Sequence, residues 1–89
     1  MGKKRKEQKP KTVEERVSQG NSAEALIHSP VFSEAYENLE DKYITSWMSS
    51  NPDDDKKREQ CYISLKVLSE IRLELESMIN SGKIAKQSN

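Results

Sequence analysis

The sequence predicts an all-α fold, an antiparallel two-helix hairpin preceded by short helical segments. Three observations predict it. A capping side chain stands directly before proline twice, at Ser29-Pro30 and at Asn51-Pro52, and proline suits the first position of a helix because its missing N–H is not needed there. Two long segments repeat apolar residues at i, i+3, i+4 and i+7, which lines one face of a helix. No stretch alternates apolar and polar residues in the manner of a half-buried strand.

Residues 1–11 carry Lys3, Lys4, Arg5, Lys6, Lys9 and Lys11 against Glu7, a net charge of +5, with no apolar side chain beyond Met1. Such a segment cannot repay the entropy of ordering, and a disordered basic arm is expected. Residues 12–28 follow as short helical segments and linker. Thr12-Val13-Glu14-Glu15 fits a capping box, and Gly20 is expected to stop the helix that starts there. Ser22 then caps a second piece over 23–28. Isolated helices this short are marginal in water, so both pieces depend on docking.

The hairpin occupies residues 29–85. Helix A is predicted over about 30–48, and helix B over about 52–81. Asp53, Asp54 and Asp55 fall in the first turn of helix B, where carboxylates meet the positive end of the helix dipole. Ser81-Gly82 reads as its C-cap, and residues 86–89 as a disordered tail. Helix A presents Phe32, Tyr36, Leu39, Tyr43 and Trp47 on one face. Helix B presents Cys61, Leu65, Leu68, Ile71, Leu75, Met78 and Ile79, and Ile63 and Val67 widen that stripe to about 200°. One neighbouring helix cannot cover so much.

With two or three residues between the helices, residue i of helix A is expected opposite residue 100 − i of helix B. The hairpin core is then Phe32, Tyr36, Leu39, Tyr43 and Trp47 against Cys61, Leu65 and Leu68. Helix B overhangs helix A by about 15 Å, ten residues at 1.5 Å each. Ile63, Val67, Ile71, Arg72, Leu75, Met78 and Ile79 therefore need a cover, either the segment 23–27 or a second copy of the chain. Arg72 lies within the apolar stripe by angle, and an ion pair with Glu24 or with a partner residue is expected to hold it.

Composition sharpens this. The chain has 89 residues and 10.2 kDa, with 33% apolar and 34% charged side chains, 15 basic against 15 acidic. The zero net charge averages a +5 arm and a −5 body. A core of this size is marginal without a staple, so completion by a homo-oligomer or by a larger partner is expected. No run of about 18 apolar residues exists to span a membrane, and no secretory leader pattern begins the chain. One cysteine, Cys61, makes no internal disulfide, and a reduced, cytoplasmic setting is the expectation.

No catalytic residue, metal ligand, cofactor or small-molecule substrate is expected. The aspartates at 53–55 lack the alternating spacing of a calcium loop, and Ser64 stands where its terminal glutamate belongs. His28 is the single histidine, and three glycines supply no phosphate-binding loop. The basic arm is the candidate for nucleic acid or an acidic partner, through sequence-blind neutralisation of phosphates. It has no aromatic side chain for stacking on bases.

Residues 25–85 resemble a group of small helical-hairpin proteins encoded in tailed-bacteriophage genomes. The resemblance rests on S-P-V-F-S-E-A-Y-E-N-L-E-D-K-Y-I-T-S-W at 29–47 and L-K-V-L-S-E-I-R-L-E-L-E-S-M-I-N-S-G-K-I-A at 65–85. It implies a virus-encoded accessory or structural protein of the host cytoplasm or the virion, without catalytic residues. The expected function is a non-catalytic helical interaction protein that self-associates or docks through helix B. The alternative is a small DNA- or RNA-binding regulator acting through the arm.

Overall fold

The computed structural model of the protein describes residues 10–87, and among them it is all-helical, with no strand. In chain order the helices are α1 (Val13–Ile27), α2 (Pro30–Met48) and α3 (Asp55–Gln87). Lys3, Lys4, Arg5, Lys6 and Lys9 of the arm, and Ser88 and Asn89 of the tail, lie outside the described residues.

The capping box at the start of α1 is present in both directions. The Glu15 amide donates to Thr12 Oγ1 at 3.1 Å, and the Thr12 amide donates to Glu15 Oε1 at 2.9 Å. The helix does not stop at Gly20, and Ser22 caps nothing. A single helix runs through both positions to Ile27. Glycine costs a helix interior about 1 kcal/mol relative to alanine, but a buried contact with α3 holds Gly20 in place and outweighs that cost. No glycine among the described residues takes a positive φ, so neither Gly20 nor Gly82 acts as a left-handed stop.

Helix α2 starts as expected. The Phe32 amide donates to Ser29 Oγ at 3.3 Å, and Pro30 occupies the first helical position. The next junction differs. Helix α3 begins at Asp55 rather than at Pro52, because Asn51-Pro52-Asp53-Asp54 forms a turn. Its closing bond runs from the Asp54 amide to the Asn51 carbonyl at 2.8 Å. Proline's fixed φ suits the second residue of such a turn as well as a helix start. Asp54 takes over as the cap, accepting from the Lys57 amide at 3.1 Å.

The far end of α3 also departs from expectation. The helix passes Ser81 and Gly82 and continues to Gln87, so Lys86 and Gln87 belong to it and not to a tail. Gly82 is buried inside the helix, against Gly20.

These lengths set the architecture. Helix α3, 33 residues, is about 50 Å long, and α1 and α2 laid end to end reach about the same length. Each packs mainly on α3 and scarcely on the other, so α1 takes the C-terminal half of α3 and α2 the N-terminal half. The molecule is 19 Å in its thinnest direction, two helix diameters. Two layers enclose no large side chain completely. The buried apolar residues are accordingly few and mostly small, namely Ala23, Tyr36, Cys61, Leu68 and Ala85.

Candidate interaction surface

The α1 half of the molecule is built from main chain. A Cβ added at Gly20 would lie 3.0 Å from the Met78 carbonyl oxygen and 3.1 Å from Gly82 Cα, and one added at Gly82 would meet the Arg16 carbonyl oxygen at 3.0 Å. The two helices therefore touch backbone to backbone. Arg16 bridges the crossing, with Nε donating to Ser81 Oγ at 2.9 Å and Nη2 to the Ser81 carbonyl at 3.1 Å. Leu75, Met78 and Ile79 are half-buried on this half of α3.

The α2 half is built from rings and guanidinium groups. The Tyr36 hydroxyl donates to the Leu68 carbonyl at 2.8 Å, and the Arg72 guanidinium lies 4.5 Å from the centre of the same ring. Arg72 also lines one concavity with Glu24 and His28, and its guanidinium contact is with the ring rather than with the Glu24 carboxylate. Phe32 packs against Tyr36 with ring centroids 6.0 Å apart. Nearer the turn, the Arg58 guanidinium covers Trp47 at 4.2 Å and donates to Ser50 Oγ at 3.1 Å. Ser50 Oγ in turn donates to the Trp47 carbonyl at 2.6 Å.

Tyr36 thus reaches Leu68 rather than the neighbourhood of position 64 that the 100 − i register gives it, and that register is wrong by about one turn. The cause is the connection. Residues 49–54 separate the helices, where two or three residues were expected, and the delayed start of α3 carries its stripe one turn along. Of the residues expected in the hairpin core, Tyr36, Cys61 and Leu68 are buried, and Phe32, Tyr43 and Leu65 are half-buried. Leu39 and Trp47 remain 38% and 41% exposed.

Of the residues expected to need a cover, Arg72 is exposed apart from its ring contact. Ile63, Val67 and Ile71 stay 50%, 50% and 45% exposed. They form one wall of an open groove of about 320 Å³, with Leu39 and Tyr43 of α2 on the other side and Leu68 at its floor. Its lining contains no charged side chain.

Gly20 and Gly82 form a close crossing where stops are expected of both. A signal was available. Gly20 and Ala23 sit one turn apart on α1, and Gly82 and Ala85 one turn apart on α3, a spacing that puts small residues on one helix face.

Among the described residues, no three His, Cys, Asp or Glu side chains gather to hold a metal ion. No helix there is long and apolar enough to cross a membrane. Comparison with protein-family models, curated proteins and solved structures finds no match.

Proposed function

We propose that this protein is a non-catalytic helical interaction module that self-associates, or docks on a larger partner, through the Ile63–Val67–Ile71 face of α3. One observation carries the reading. Three β-branched side chains stand half exposed in a row beside an apolar groove, on a molecule only two helices thick. A contiguous aliphatic row beside an apolar groove supports an interaction site. Covering it with another helix gains about 25 cal/mol for each Å² of apolar surface removed from water.

The resemblance of residues 25–85 to small phage-encoded proteins supports reading this module as a virion or assembly protein, with the basic arm available for nucleic acid. Sedimentation of the full chain over a range of concentrations tests the reading. The wild type is expected to associate, and Val67→Asp to stay monomeric with its helix content unchanged. A wild type that sediments as a monomer at every concentration and captures no partner through this face would refute it.

The charge of +5 on residues 1–11 supports the second reading, a DNA- or RNA-binding regulator. Deleting those residues is then expected to abolish nucleic-acid binding. The log of the affinity of the intact chain should fall with the log of salt, at a slope of about −0.9 per neutralised phosphate. Absence of any salt-sensitive binding by the full chain sinks this alternative.

A further inference from the structure

We infer that the occupant of the groove is a second copy of the same chain, with the two α3 helices antiparallel about a two-fold axis at Val67. This rests on the self-association proposed above and specifies its geometry. Ile63, Val67 and Ile71 are spaced by four residues, so they form a single row on α3. The order isoleucine, valine, isoleucine reads the same in both directions. A two-fold interface joins the same patch on both subunits and must be self-complementary. An axis at Val67 sets Val67 against the partner's Val67, and Ile63 against the partner's Ile71.

At the centre of the row, charge favours the antiparallel direction, against one like pair further out, Glu74 and the partner's Glu59. Lys66 and Glu70 are exposed and lie along the edge of the row away from α2. In an antiparallel pair related by this axis, like edges meet. Lys66 lies one residue before the axis and Glu70 three residues after it. The pairing therefore brings Lys66 to within about 3 Å, along the helix, of the partner's Glu70. Symmetry makes that contact twice.

The groove points the same way. Antiparallel pairing stacks α2 on the partner's α2, so that Leu39 and Tyr43 of both copies close the concavity and a four-helix arrangement results. Parallel pairing sends the two α2 helices to opposite sides. It leaves each groove half covered and gives Lys66 no reciprocal acid.

Cross-linking of single-cysteine variants of the full chain tests this, with Cys61→Ala removing the native thiol. With a short bifunctional maleimide, Val67→Cys is expected to cross-link to itself. Ile63→Cys mixed with Ile71→Cys is expected to cross-link, while neither does so alone, because Ile63 and the partner's Ile63 stand about 12 Å apart along the axis. Self-cross-linking of Ile63→Cys would overturn the antiparallel geometry and leave self-association intact. A monomer in sedimentation would overturn both.

Charge reversal gives an independent arm. Lys66→Glu and Glu70→Lys are each expected to weaken the dimer by roughly tenfold, and an equal mixture of the two to recover it as a heterodimer. A mixture no tighter than its components refutes the pairing.

Discussion

The two halves of α3 are held by opposite means. Towards its C-terminus the helix meets α1 backbone to backbone, with Gly20 and Gly82 removing the side chains that would keep the axes apart. Towards its N-terminus it meets α2 through Tyr36, Trp47, Arg58 and Arg72, whose long side chains hold the helices further apart. The glycine half buries its crossing, and the large apolar side chains it leaves exposed, Leu26 and Ile84, lie away from that crossing. The aromatic half fills its seam with rings but cannot reach the flank of α3, and Ile63, Val67 and Ile71 remain uncovered there. A close crossing completes itself, and a wide one invites a partner.

The severest way to break this comparison is to put a side chain into the close crossing. Gly82→Leu would drive its Cβ against the Arg16 carbonyl and the Gly20 backbone, neither of which is the movable end of a side chain. Overpacking of this kind costs about 3 kcal/mol, several times the gain in helix propensity of about 1 kcal/mol. Thermal unfolding should show the loss. Hydrogen exchange should show where it falls, with amides of α1 losing protection while those around Tyr36 and Leu68 keep theirs. Uniform loss along the whole chain would mean that the halves are one cooperative unit.

The same contrast explains what the sequence disclosed. Helix α2 was legible to the residue because both of its signals are local, Ser29-Pro30 at one end and its aromatic row between. The capping box of α1 was legible for the same reason. What failed was every feature whose meaning depends on a distant partner. Glycine reads as a stop when seen alone, yet Gly20 and Gly82 each explain the other, and they stand 62 positions apart in the chain. Asn51-Pro52 fits a helix start and a turn equally well, and Asp54 decided between them by capping Lys57. That choice moved the register by about one turn. The uncovered row was visible in the width of the α3 stripe, but not its extent. Only the position of α1 separates Ile63, Val67 and Ile71 from Leu75, Met78 and Ile79.

A gentler change sharpens the comparison from the other side. Tyr36→Phe keeps the ring under Arg72 and beside Phe32 but removes the hydroxyl that donates to the Leu68 carbonyl. That carbonyl keeps its place in the helix ladder, so no buried acceptor is orphaned, and the cost should be about 1 kcal/mol. Leu68 and Gly82 are separated by about 21 Å along α3, and the two halves share little besides that helix. Combined with the milder Gly82→Ala, the two losses should therefore add to within about 0.5 kcal/mol. Denaturant unfolding of the two single variants and the double variant measures the sum. A coupling above that margin would show that α3 transmits strain between its glycine half and its aromatic half, and that closing one end alters the groove at the other.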